Sequence, residues 1–246
     1  MPQSLKRSGS RVTAATVASF VAVTGTSGAT VRAMLSIIVF GAGGRAGRRI
    51  VAESLARGHR VTAVVREPAR HPDLEGAVAG DVTDARQVAV LSEGHDAAVH
   101  AAARLDVPAA EFFPDAARAL TAGLTQAGVP RLVAIGIGTT LEVAPGQAVH
   151  DAPDFPAEYR AFSLGHAAQI DVLRAAGEGL DWVLLVPPPT LLDDATDGTG
   201  AYRTNSDNQV LATGDTLFAY ADLAIAVVDE VDQPKHHRAA IAVGPA

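Results

Sequence analysis

Along most of the chain, short apolar runs alternate with stretches of helical spacing. Leu35 to Phe40 is a short, mostly apolar run, of the kind a strand buried on both faces requires. Beyond it, Ile50, Val51, Ser54 and Leu55 make a stripe at helical spacing, broken by Arg48, Arg49, Glu53 and Arg57. Gly58 stands where such a helix would stop, and RVTAVV follows as a second strand. GAVAGDVTD predicts a short strand ending at Asp81, and DARQVAVLSEG a helix with Asp84 near its start. DAAVHAAA reads as an apolar strand, and AAEFFPDAARALTAGLTQAG as a long helix interrupted early at Pro114. PRLVAIGIG, AFSLGHAAQIDVLRAAG and LDWVLLVPPP continue as strand, helix and a strand stopped by prolines.

Strands alternating with helices predict a parallel sheet covered on both faces, and right-handed crossovers make it doubly wound. The fold class is therefore α/β, of the Rossmann type. The tail departs from the alternation. GAYRTNSDNQVLATG predicts a hairpin with a polar turn. YADLAIAVVDEVDQP predicts a helix with Ala221, Leu223 to Val228 and Val231 turned inward, and RAAIAVG a last strand. This part is too small for an independent domain and is expected to form a small C-terminal cap over the carboxyl ends of the strands.

Two glycine clusters compete as a ligand loop. A dinucleotide loop needs a buried strand before it and a helix opening on its last glycine, so that backbone N–H groups and the helix dipole face a pyrophosphate. Gly41, Gly44 and Gly47 have this setting, inside a strand–turn–helix–strand unit of about 30 residues. Gly25 and Gly28 do not: Val31 takes the third position, and no helix has room before Leu35. In the first cluster, Gly41 serves the tight turn, Gly44 lets the backbone approach the pyrophosphate, and Gly47 lets the helix pack closely. Arg45 and Ala46 lie at the helix start with backbone N–H groups to donate. At the end of the second strand, where an NAD enzyme usually places an acid, stands Arg66. A guanidinium suits a 2′-phosphate by charge and forked geometry, with Arg45 and Arg70 to assist and Glu67 as the competing ribose ligand. The expected cofactor is NADP(H) rather than NAD(H).

Composition narrows the classes. Of 246 residues, 48% are hydrophobic, enough for a sizeable core, and a net charge of −7 argues against a general nucleic-acid binder. The absence of cysteine excludes disulfides, thiolate catalysis and cysteine-ligated metals, and agrees with a cytoplasmic setting. No apolar stretch reaches the ~20 residues of a membrane span. Residues 1–33 read as a separable extension, disordered or an artefact of an upstream start, since Met34 directly precedes the first strand. Lys6, Arg7 and Arg11 before VTAATVASFVAV resemble a signal segment only crudely, because Thr and Ser interrupt the apolar stretch. Residues 34–246 then form one domain, as a monomer or homodimer acting on a small-molecule substrate. His150, His236 and His237 are residue types that ligate metals, but the adjacent pair would point in different directions from an exposed turn, and no metal is expected.

From Met34 onward the chain resembles the atypical short-chain dehydrogenase/reductase group, in particular the NmrA-like and biliverdin-reductase-B-like NAD(P)H-binding proteins. The resemblance rests on GAGGRAGRRIVAESLARGHRVTAVVREPAR, GDVTD, AGVPRLVAIGIG, LDWVLLVPPP and YADLAIAVVDEVDQPKHHR, in the family's order and spacing. It implies that Asp81 and Val82 sit beside the adenine and that Ala101 and Ala102, small residues after the fourth strand, let the chain approach the ribose. His100 beside them reads equally as a core-edge residue. The chain departs from the family where Gly43 replaces a frequent threonine. It departs further on the helix after the fifth strand, where the resemblance leads one to expect a Tyr-x-x-x-Lys pair: Phe162 and His166 take those positions. Tyr159 lies one turn earlier, and Thr139 or Thr140 stands where the family's serine would be. The candidate catalytic residues are therefore His166, Thr139 and Tyr159. Two functions remain open: an NADP(H)-dependent oxidoreductase reducing a flavin, quinone or activated carbonyl, or a non-catalytic NAD(P)H-binding redox sensor or scaffold.

Overall fold

The computed structural model describes residues 33–190, 192–212 and 216–246. The proposed extension, with Gly25 and Gly28, lies outside them. Among the described residues, five α-helices and twelve strands follow one another: β1 (Ser36–Phe40), α1 (Arg45–Ala56), β2 (Arg60–Val65), β3 (Val78–Ala79), α2 (Ala85–Ser92), β4 (Ala97–His100), α3 (Ala109–Ala127), β5 (Arg131–Ile135), β6 (Glu142–Ala144), β7 (Gln147–Ala148), α4 (Ala157–Ala175), β8 (Asp181–Val186), β9 (Leu192–Asp193), β10 (Tyr202–Asn205), β11 (Phe218–Ala219), α5 (Tyr220–Asp232) and β12 (Ala239–Pro245). Eight strands form the main sheet, in the order β10-β12-β8-β5-β4-β1-β2-β3. All pairs are parallel except β10 with β12.

The period-2 geometry of a strand divides each apolar run between two cores. Ile38 and Phe40 face one, with Val88 of α2, Phe113 and Leu120 of α3 and Leu173 of α4. Ile37 and Val39 face the other, with Ile50 and Val51 of α1 and Leu223, Val227 and Val228 of α5. Because β1 pairs with β2 on one side and β4 on the other, the chain leaves it in opposite directions. A crevice therefore opens at the carboxyl ends of β1 and β4, the switch point of an open α/β sheet.

Several sequence expectations are corrected. Helix α3 runs unbroken through Pro114, whose ring is buried. The third strand is only Val78–Ala79 and does not extend to Asp81. Among the described residues the expected hairpin after Gly200 does not form: Tyr202–Asn205 pairs antiparallel with β12, and Gln209 bridges to Glu142 instead. The proline-containing stretch of residues 143–159, which the helix and strand patterns leave unassigned, carries the β6–β7 hairpin and a 3-10 turn at Val149–Asp151. Leu55 points outward and is 55% exposed. Local patterns failed in the tail because the partner of Tyr202–Asn205 lies some forty residues away in sequence, beyond the reach of any turn signal.

At the amino ends of β5 and β8, opposite the crevice, lies a buried ionic cluster. Arg131 donates to Asp181 at 2.8 Å, to Glu230 at 2.9 Å and to the carbonyl of His236 at 3.0 Å. His236 meets Glu230 at 2.6 Å while His237 meets Asp181 at 2.8 Å, so the adjacent histidines serve different carboxylates. Removing the cation strands the buried Glu230 carboxylate. Arg131→Met is expected to lower the unfolding free energy by about 3 kcal/mol in urea titrations, with His236 and two N–H groups limiting the loss.

Candidate functional site

The crevice holds a cleft of about 260 Å³. Its walls are the loops after β1, β2, β3 and β4, including Gly41, Gly44, Arg66, Asp81, Val82, Ala101 and Ala102. Backbone bonds fix these loops to one another. Gly41 and Ala42 both donate to the Val64 carbonyl, at 3.1 and 3.2 Å, Gly80 donates to Val65 at 3.0 Å, and Ala101 to Phe40 at 2.9 Å.

The three glycines of the loop answer three different demands. Gly41 has φ +84°, and a side chain there would meet the backbone of Ala101 and Ala102. At Gly47 a Cβ would overlap the Gly41 carbonyl and come within 2.8 Å of the Ala42 Cα, so that position is needed for the helix to pack. At Gly44 a Cβ would meet nothing closer than the Gly41 oxygen, at 3.5 Å. The protein itself makes no demand for glycine at 44; the space in front of it belongs to whatever enters the cleft. Helix α1 starts there with no side-chain cap, so the N–H groups of Arg45, Ala46 and Gly47 in its first turn have no intrahelical partner. Uncapped donors and the positive end of a twelve-residue helix favour an anion, and the missing Cβ lets it approach. The residues present fit a dinucleotide pyrophosphate.

The cations around the cleft are shared with acids. Arg66 is half-exposed and lies 3.5 Å from Asp106. Arg104 grips the same carboxylate at 3.0 and 2.6 Å and holds its pKa well below the usual carboxylate range. Arg45 turns away, its guanidinium 5.3 Å from the centre of the Tyr220 ring, so it offers the cleft its backbone alone. Arg70 and Glu67, both exposed, sit 3.5 Å from each other. The Asp81 carboxylate accepts from the N–H and hydroxyl of Thr83, at 2.9 and 2.7 Å, which orients it at the rim. Arg104 and His71 also line the cleft and went unnoticed as site residues in the sequence. Neither belongs to a periodic pattern or a glycine motif; only the parallel register that sets β4 beside β1 brings Arg104 there.

The three catalytic candidates do not line this cleft. Thr139 and Ser163 share a hydroxyl contact at 2.7 Å, and Ser163 donates to the Tyr159 carbonyl at 3.1 Å. Ser163 has one proton to give, so Thr139 donates to Ser163. The His150 ring donates from Nδ1 to the Thr139 carbonyl at 2.7 Å. The Tyr159 side chain is 62% exposed. His166 is buried, with its ring 3.7 Å from that of Phe113 and 5.1 Å from that of Phe162. Burial, with a small contribution from His100, pushes its pKa down to about 3; burial alone pushes His100 down to about 4. A ring in this setting is neutral near neutral pH and lacks the imidazolium proton that a general acid would give.

This has a consequence for stability. The unfolded chain binds protons on these histidines below about pH 6.5, while the folded one resists until about pH 4 and then 3. Stability should therefore fall as pH drops from 6.5 toward 4. His166→Leu should flatten that slope in urea titrations at pH 7, 5.5 and 4.5; an unchanged slope would show that His166 is accessible to protons in the fold.

Comparison with known proteins agrees with the cleft. Over 207 residues the chain is 32% identical to the uncharacterized protein YwnB of Bacillus subtilis, covering 82% of this chain and 94% of that protein. The structure of a protein from Burkholderia pseudomallei, described as a candidate exported protein, superposes with a TM-score of 0.75 at 34% identity, covering 85% of this chain and 99% of the other. A candidate NADH-flavin reductase from Streptococcus pneumoniae has a TM-score of 0.69 at 24% identity, covering 85% and 98%; at that distance the shared property is the fold. No helix among the described residues is long and apolar enough to cross a membrane. A family model described as NAD(P)H-binding matches residues 41–234, from the first glycine of the loop to the end of the last helix region, and the chain belongs to that family.

Proposed function

We propose that the protein is an NADP(H)-dependent oxidoreductase that reduces a small, already activated acceptor such as a flavin, a quinone or a conjugated carbonyl. The observation that carries the nucleotide half of this reading is the open space before Gly44, at an uncapped helix start. Bound NADPH would supply the hydride. The N–H groups of Arg45, Ala46 and Gly47 would hold the pyrophosphate, and Asp81 and Val82 would flank the base. Arg66, at the end of β2 where an acid would select NAD, would meet the 2′-phosphate. The acceptor half rests on what the site lacks in commitment. His166 is neutral and buried, and the hydroxyls of Thr139 and Ser163 are engaged with each other. An acceptor that takes hydride without obligatory protonation by the protein suits this arrangement. The same observation favours the second reading, a nucleotide-binding redox sensor without turnover. A cytoplasmic location goes with the first reading, and the chain's lack of cysteine agrees with it.

Three measurements test this. Gly44→Val should leave the melting temperature near wild type and abolish cofactor binding, whereas Gly47→Val should destabilise the fold itself. Arg66→Ala should weaken NADPH about tenfold, the equivalent of about 1.5 kcal/mol for a half-exposed charge-assisted contact, and leave NADH nearly unchanged. Asp106→Asn, which removes the acid facing Arg66, should shift preference the other way, toward NADPH. Equal weakening of both cofactors by Arg66→Ala would reject the 2′-phosphate role. Finally, NADPH oxidation should accelerate on adding FMN or a simple quinone; tight binding with no oxidation of NADPH by any acceptor in the panel would decide for the sensor.

A further inference from the structure

Gly43 is a glycine for a reason that the loop motif does not supply. Its φ is not in the left-handed region, and it is neither the turn, the approach nor the packing glycine. What a Cβ there would meet is the imidazole of His71: Nε2 at 2.6 Å and Nδ1 at 2.8 Å. The ring of a residue from the loop after β2 thus occupies the place where a side chain at 43 would project, and it lines the cleft. It is held there. Arg48, one turn into α1, donates to the Gly43 carbonyl at 3.0 Å, contacts His71 Nδ1 at 3.1 Å and pairs with Asp73. A guanidinium can only donate, so Nδ1 must accept. The ring's proton is therefore on Nε2, an N–H donor with no other partner imposed by Arg48.

We propose that His71 is a phosphate ligand of the bound dinucleotide: its Nε2–H donates to an anionic oxygen, Arg48 fixes its tautomer, and Gly43 makes room for it. This rests on the NAD(P)H reading of the cleft and adds to it a residue placed by none of the loop glycines. It also gives Arg48 a role distinct from Arg66. Arg48 acts as a positioning residue through His71, with its own charge satisfied by Asp73.

The test compares dissociation constants of NADPH and NADH, by calorimetry, for wild type, His71→Ala, Gly43→Ala and the double variant. His71→Ala should weaken binding about tenfold. Gly43→Ala should do nearly the same, because its methyl displaces the ring, and the double variant should be no worse than about twofold beyond either single one. Loss confined to NADPH would assign the 2′-phosphate, and equal loss for both cofactors the pyrophosphate; each supports the proposal. His71→Gln, which keeps an amide donor at similar reach, should recover part of the affinity. In a sample with nitrogen-15 histidine, the His71 Nε2 signal should move on adding NADPH. Wild-type affinity in His71→Ala, or weakened binding with an unmoved Nε2 signal in the wild type, would overturn the proposal while leaving the cofactor reading intact. A wild-type protein that binds neither cofactor would overturn both.

Discussion

The parallel pairing of β1 with β4 is the contact on which the site depends. It sets Phe40 beside His100 in register, so the chain leaves both strands at the same level and the two loops must share one space. That crowding explains the small residues on both sides. Gly41 cannot carry a side chain because Ala101 and Ala102 pass directly over it, and the Ala101 N–H is already committed to Phe40. The opposite departures of the chain toward β2 and toward α3 then leave the crevice between them. No residue in the cleft needed to be selected for making a cavity; the winding makes it, and the loops decide what it accepts.

What it accepts is governed by charge that is deliberately incomplete. The helix start offers N–H groups with no cap, and the cations of the rim are each partly occupied by a carboxylate. Asp106 holds Arg104 tightly and Arg66 loosely, at 2.6 and 3.5 Å. A loosely held guanidinium is available to a doubly charged phosphate, which offers more oxygens and more charge than one carboxylate. Behind the loop, Arg48 is engaged by the Gly43 carbonyl, His71 and Asp73, so its proposed value lies in orienting His71 rather than in its own charge. Positive residues near one cleft therefore have different functions according to which acid faces them.

Away from the cleft, polar groups serve the fold. The Arg131 cluster joins β5, β8 and α5 at the amino ends of the strands, with His236 and His237 as accessory partners. His100 and His166 sit in the aromatic layer between the sheet, α3 and α4, where desolvation keeps them neutral. A histidine at the position of a catalytic lysine is thus compatible with a packing role, and the helix that presents it buries it against Phe113.

The sequence by itself pointed to the doubly wound sheet, to the strand–glycine–helix unit that begins at Gly41 and to several of the residues that line the cleft. Those features are local: an apolar run has one period, a strand–glycine–helix unit closes within about 30 residues, and strand ends converge wherever parallel strands are aligned. Only the tertiary structure decided the rest, because it rests on contacts between distant segments. Tyr202–Asn205 finds its partner at Ala242–Pro245, not in its own hairpin. Whether His166 faced a ligand or the core depended on how α4 settles on α3, which no helical period specifies. In the sequence Gly43 is only a departure from the family's frequent threonine; its physical reason is the ring of His71, brought back by the loop after β2 to fill the place of a side chain there. Side-chain direction at such positions is set by burial and by the partner across the gap, and neither is written in the spacing of residues along the chain.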